Sequence, residues 1–137
     1  MNVLSLFDGL SGARIALDRL SIDCSYFASE IDGHAIGISN RNYPDIIRLG
    51  DIRSIKADSL PKIDLLIAGF PCQDLSVAGK QAGINASRSG LFFDLMRVVR
   101  LVGPRYVLLE NVPALLSRSD WMGAVLGELA SCGFDAE

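Results

Sequence analysis

The stretch NVLSLFDGLSGARIALDRL, residues 2–20, decides the architecture. Asn2 to Phe7 is a short apolar run. It ends in Asp8-Gly9 and Ser11-Gly12, after which Ala13, Ala16, Leu17 and Leu20 recur with helical spacing. Strand, glycine turn and helix in that order open a unit whose next strand runs parallel to the first.

The same pattern continues outward. Ser25 to Glu30 reads as a second strand ending at an acid, Gly33 to Arg41 as a short helix before Tyr43-Pro44, and Asp45 to Leu49 as a weaker third strand closed by Gly50-Asp51. Ile63 to Ala68 is nearly all apolar, which predicts a strand buried on both faces in the centre of a parallel sheet. The connection from Gly69 to Ser89 is long for a strand-to-helix link, and loops of that length in compact domains are commonly functional or mobile. Leu91 to Val102 has helical periodicity, Arg105 to Leu109 reads as another buried strand, Trp121 to Ala130 as another helix, and Phe134 to Glu137 as the start of a further strand. The alternation predicts an α/β fold: a right-handed, mostly parallel sheet with helices on both faces, and ligands beyond the carboxyl ends of the strands. No internal repeat or interdomain linker interrupts it.

Composition bounds the function. The chain has 137 residues, 50% hydrophobic and 21% charged, enough to bury roughly two thirds of its unfolded surface in one domain without a metal or disulfide staple. Cys24, Cys72 and Cys132 are widely separated and His34 is the single histidine, so a zinc ligand set is not expected. The longest apolar run, Leu65 to Cys72, falls far short of the ~20 residues of a membrane helix, and the first residues carry no secretory pattern. The expectation is a cytoplasmic protein with reduced thiols, apart from membranes and metals. A formal charge of −3 argues against a stand-alone nucleic-acid binder. Lys80, Arg88, Arg97, Arg100 and Arg105 against the single acid Asp94 nevertheless form a candidate basic face, or the solvated side of a helix.

Two clusters carry candidate chemistry. Asp8-Gly9-Leu10-Ser11-Gly12 lies where a ligand meets the first strand end, and Glu30 follows Gly9 by 21 residues, a spacing at which a carboxylate accepts both ribose hydroxyls of an adenosine. Asp51, after the third strand, is placed to meet the adenine amino group. The glycine pattern is not GxGxxG, so a nucleoside with a small charged tail fits better than a dinucleotide. At the second cluster, Gly69-Phe70-Pro71-Cys72-Gln73 follows the central strand, and Pro71 fixes the orientation in which Cys72 is presented. A thiol there is a nucleophile if its surroundings stabilise the thiolate, and a packed thiol otherwise. Glu110-Asn111-Val112 ends the strand starting near Arg105, and adjacent strand ends would set Glu110 and Cys72 on opposite sides of one planar substrate.

These motifs, in this order, resemble the DNA (cytosine-5)-methyltransferases. The resemblance runs through Phe7-Asp8-Gly9 with Gly12, Glu30-Ile31-Asp32, Asp51-Ile52, Gly69-Phe70-Pro71-Cys72-Gln73, Arg88-Ser89-Gly90-Leu91-Phe92 and Glu110-Asn111-Val112. It implies a Rossmann-like fold using S-adenosyl-L-methionine, with Phe7, Asp8, Gly9, Leu10 and Gly12 at the cofactor, Glu30 on its ribose, and Ile31, Asp51 and Ile52 about its adenine. Gly69, Pro71 and Leu91 complete that pocket. It further implies Cys72 as the nucleophile, Glu110 as the group engaging the cytosine ring, Asn111 holding the catalytic segment, and Gln73, Ser76 and Arg88 facing double-stranded DNA. Ser11 stands where the family has a glycine. Nothing matches the family's later Gln-Arg-Arg segment, its target-recognition domain, or the late segments that return to complete the sheet and cofactor pocket, so residues 1–137 are expected to correspond to the amino-terminal portion of the catalytic domain, with a fold incomplete at the carboxyl end. Two readings follow: part or one subunit of a bacterial or phage methyltransferase that needs a further segment, or an inactive remnant that binds cofactor or another protein. Cys24 and Cys132 are expected to be packed thiols and Trp121 a core residue.

Overall fold

The structure, a computed structural model, describes residues 1–70, 90–113 and 119–136. Five strands form one sheet: β1 (Asn2–Leu6), β2 (Ser25–Ser29), β3 (Ile47–Arg48), β4 (Leu65–Gly69) and β5 (Tyr106–Glu110), in the order β3-β2-β1-β4-β5. Every pairing is parallel. The helices are α1 (Gly12–Arg19), α2 (Gly33–Asn42), α3 (Leu91–Val102) and α4 (Ser119–Ser131), with short 3-10 turns at Ile52–Ser54 and Ala57–Ser59.

Successive residues of a strand face opposite sides, and β1 divides its apolar residues accordingly. Leu4 and Leu6 join Leu66, Ala68 and the inward stripe of α3, made of Phe92, Leu95, Met96, Val98 and Val99, together with Val125 and Leu129 of α4. Val3 joins Tyr26, Ala28, Leu17 of α1 and Ile46 on the other side. Helices therefore cover both faces, as alternating strands and helices predict. α2 begins at Asp32, whose carboxylate accepts from the amides of His34 (2.7 Å) and Ala35 (3.3 Å). Those bonds hold its pKa below the usual carboxylate range. α3 ends at Gly103, where a φ of 50° lets the Gly103 amide turn back to the Val99 carbonyl at 3.0 Å.

Three expectations are corrected. The strand expected to be buried from Arg105 to Leu109 is the sheet edge, with Tyr106 56% and Leu108 57% exposed; an edge strand lacks one neighbour, and no described helix covers its second face. For the same reason Leu65 and Ile67 of β4 are only half-buried, while Leu66 and Ala68 are sealed. Residues 134–136, expected to begin another strand, are not in one. Among the described residues no helix is long and apolar enough to cross a membrane.

Candidate active site

The carboxyl ends of β1 and β2 are tied together by one side chain. Glu30 Oε2 accepts the Gly9 amide at 2.8 Å, and Oε1 accepts the amides of Ile31 (2.7 Å) and Asp32 (2.9 Å). Backbone donors orient this carboxylate, and Oε2 keeps a lone pair for a further donor. Around it the surface is apolar and open: Leu10 is 55% and Ile31 71% exposed, and a Cβ built on Gly9 or Gly12 would meet nothing within 4 Å. Gly9 holds a φ of 54°, which glycine adopts without strain. Phe7 is half-buried against the core. An apolar rim about an oriented carboxylate fits a nucleoside whose base packs on aliphatic side chains while its ribose hydroxyls donate to Glu30.

Beneath the turn, Asp8 points inward. Its side chain is fully buried, accepting from Tyr26 Oη at 2.8 Å and Ser11 Oγ at 2.5 Å, with Arg48 Nη1 3.6 Å away. Burial drives the Tyr26 pKa upward, so the phenol stays a donor. Asp8 thus supports the turn from below, and its carboxylate is committed to protein partners. Asp51 is likewise engaged: it accepts from Arg53 through both carboxylate oxygens, Nε at 3.0 Å to each and Nη2 at 2.5 Å, and from the Arg53 amide at 2.9 Å. Those bonds hold its pKa down to about 2. The Ile52 side chain is buried in the core, and its carbonyl and that of Ile55 accept from Arg97 at 2.7 and 3.2 Å.

The second cluster lies at the ends of β4 and β5. Gly69 stands directly opposite Glu110 in the ladder, and a Cβ on Gly69 would lie 3.1 Å from Glu110 Oε2. Asn111 Nδ2 donates to the Phe70 carbonyl at 3.0 Å, while its Oδ1 accepts the Val112 amide at 2.8 Å. Phe70 is buried against Phe92, ring centroids 5.3 Å apart. Leu91 is half-buried at the start of α3. The chain is therefore anchored immediately before Pro71 by an amide, an aromatic contact and the ladder. Pro71, Cys72, Gln73, Ser76 and Arg88 lie outside the described residues, as does Lys80. Glu110 is exposed at the end of the edge strand, and the strand before it, expected to be buried, leaves Leu108 exposed and Val107 and Leu109 half-buried.

The basic face dissolves into structural contacts at its described members. Arg97 ties α3 to residues 52–55, Arg100 pairs with Glu128 of α4, and Arg105 lies over the Tyr106 ring, 5.1 Å from its centroid. Cys24 and Cys132 are half-buried and pack against the two apolar clusters. A groove of about 870 Å³ runs between the β5 edge and α4, lined by Leu108, Val112, Met122 and Leu126. It is apolar and lies apart from the turn at residues 7–12. Sequence reasoning missed Tyr26, Ser39 and Arg48. The available signal was Asp8 itself, an acid directly after a buried strand, which requires partners from elsewhere in the chain.

Comparison with known proteins gives the family of the chain. The profile of the C-5 cytosine-specific DNA methylases matches residues 1–137. The Type II methyltransferase M.NlaIV of Neisseria lactamica is 40% identical over 119 residues, 83% of this chain and 28% of that protein. M.HhaI of Haemophilus parahaemolyticus is 38% identical over 120 residues, 88% of this chain and 36% of that protein. The chain thus spans about a third of the length of these relatives. A solved structure assigned as a prophage-encoded DNA modification methyltransferase of E. coli superposes with a TM-score of 0.73 at 28% identity, covering 96% of this chain and 38% of that one. Spodoptera frugiperda DNMT2 gives 0.76 at 23% identity, covering 96% and 41%, a likeness of fold. With its parallel sheet, its glycine turn bonded to Glu30, and Gly69 set against Glu110, the chain belongs to the C-5 cytosine-specific DNA methylase family.

Proposed function

We propose that residues 1–137 supply the cofactor-holding and catalytic strand ends of a DNA (cytosine-5)-methyltransferase, which moves a methyl group from S-adenosyl-L-methionine to carbon 5 of a cytosine in double-stranded DNA. The observation that carries this reading is the join between β4 and β5. Gly69 pairs with Glu110, and Asn111 holds the Phe70 carbonyl at 3.0 Å, so the segment entering Pro71-Cys72 leaves the sheet at the strand end that bears the carboxyl group.

The residues at the other cluster fit the cofactor. Glu30 has an oriented oxygen for the ribose, Leu10 and Ile31 offer apolar cover for the adenine, and the turn at Gly9 and Gly12 leaves room for close approach. In this reading Phe7, Asp51 and Ile52 complete the pocket together with Gly69, Pro71 and Leu91, although the Ile52 side chain is turned to the core. Asp8 contributes by holding the turn. Bound there, S-adenosylmethionine supplies the electrophilic methyl group that carbon 5 takes up once the ring is activated.

Activation is the work of the chain. Carbon 5 of cytosine is a poor nucleophile until the Cys72 thiolate adds to carbon 6, forming an S–C bond and driving the ring electrons toward nitrogen 3, where Glu110 donates a proton. Loss of the carbon 5 proton, cleavage of the S–C bond and return of the nitrogen 3 proton to Glu110 then restore the aromatic ring, the thiolate and the protonated carboxyl group. Carbon 6 is inaccessible within a duplex, so the base rotates out at a cost of a few kcal/mol; Gln73, Ser76 and Arg88 are the candidates to face the DNA. The relatives' greater length supports a further segment or a second subunit for sequence recognition.

In a full-length protein containing these residues, duplex DNA carrying 5-fluorocytosine should be captured covalently. Cys72→Ser should form no adduct, and Glu110→Gln should lower methyl transfer to ordinary DNA by roughly 10²–10⁴-fold. Capture that persists in Cys72→Ser overturns the proposal.

A further inference from the structure

The turn after β1 alternates through positive φ: Phe7 at 58°, Gly9 at 54° and Ser11 at 62°. Residues with side chains occupy that region only where their surroundings hold them. A buried polar chain holds Ser11. Arg48 Nη2 of β3 donates to Ser39 Oγ of α2 at 2.6 Å, the hydroxyls of Ser39 and Ser11 share a short hydrogen bond, and Ser11 Oγ donates to Asp8 Oδ2 at 2.5 Å. Ser11 and Ser39 are both 0% exposed.

The direction of each bond is fixed by chemistry. A guanidinium only donates and a carboxylate only accepts, so Ser39 gives its proton to Ser11 and Ser11 gives its proton to Asp8. Tyr26 closes the other oxygen of Asp8 at 2.8 Å. The Arg48 fork is itself oriented, Nε donating to Asn40 Oδ1 at 3.0 Å and Nη1 standing 3.6 Å from Asp8 Oδ2. Nη1 is buried and has no hydrogen-bond partner among the described residues, and the Asp8 carboxylate opposes its charge at that end. Hydrogen bonds in a one-way chain polarise each other, and the loss of any member leaves buried polar atoms unsatisfied.

We propose that Arg48 is a positioning residue for the cofactor turn, holding Ser11, and through it Gly9 and Leu10, by the relay Arg48 to Ser39 to Ser11 to Asp8. The relay accounts for a serine at a position where glycine would take φ 62° unaided: the hydroxyl that needs an anchor is also the link to it. Affinity for S-adenosylmethionine is then set in part from β3, behind the turn. The inference rests on the proposed cofactor reading of this strand end.

The test is calorimetric binding of S-adenosylmethionine to a full-length protein containing these residues, with amide hydrogen exchange followed at residues 9–12 in the absence of cofactor. Arg48→Met and Ser39→Ala should each raise Kd about tenfold and speed exchange at those amides. Arg48→Lys, which keeps a cationic donor, should recover most of the affinity. Val98→Ala, a core truncation on the other face of the sheet, should lower the melting temperature while leaving Kd and turn exchange at wild-type values. If Arg48→Met does not fold, Ser39→Ala decides. Wild-type Kd and wild-type exchange in the folded relay variants overturn the relay alone. A wild-type full-length protein that binds no S-adenosylmethionine overturns the cofactor reading, and with it the claim about affinity.

Discussion

A methyl group added at Gly69 would stand 3.1 Å from Glu110 Oε2, closer than carbon and oxygen settle at rest. Glu110 is exposed and free to swing by a few tenths of an ångström, so Gly69→Ala should change stability by less than about 1 kcal/mol. Methyl transfer by the full-length protein should fall about tenfold, because small misplacements at reacting groups are costly; thermal melting read beside turnover checks both halves. Asp51 allows a test by titration. Its partner Arg53 depresses the carboxyl pKa from 3.8 to about 2. The contribution of the pair is therefore present above 3.8 and is lost as pH falls through about 2. Carboxyl carbon NMR should find the Asp51 midpoint near about 2, and Arg53→Ala should return it toward 3.8. Spacing alone placed Glu30 at a strand end beside Gly9, since both the residue and its strand end are local features. The engagement of Asp51 by Arg53 was not readable, because nothing in a sequence says whether a neighbouring cation turns toward an acid or toward water.

Among the elements, α3 shows what periodicity determines. Its bounds, Leu91–Val102, coincide with those read from the spacing, because one apolar stripe packs across β1 and β4 and Gly103 stops the helix. Leu95, 0% exposed at the centre of that stripe, should cost about 2–5 kcal/mol on truncation to alanine, measured by urea unfolding. β5 was misjudged for the converse reason: Tyr106-Val-Leu-Leu has the composition of an interior strand, but strand order is a property of the whole sheet. β3 spans only two residues, paired with β2 at Phe27 and Ala28. The relay under the turn after β1 escaped the sequence reading because that turn, β2, α2 and β3 each contribute to it, and no window of the chain contains them together.

At the scale of the molecule, the parallel architecture was readable from alternation alone, and its incomplete cover was not. One face of β5 and the groove beside α4 remain apolar and open, and the chain spans 28% and 36% of two related methyltransferases. The 137-residue chain by itself should therefore transfer methyl groups to mixed-sequence DNA poorly or not at all. Labelled-methyl incorporation comparable to that of a full-length relative would contradict this. The sheet order has a temporal meaning as well. β1 is flanked by β2, which follows it closely, and by β4, which begins only at Leu65. During synthesis the β1–β2–β3 half emerges first, and at about 5–20 residues per second β4 trails β3 by about a second or more. Through that interval the inner edge of β1 awaits its neighbour, so the nascent chain exposes on the ribosome the strand that the finished protein buries most deeply.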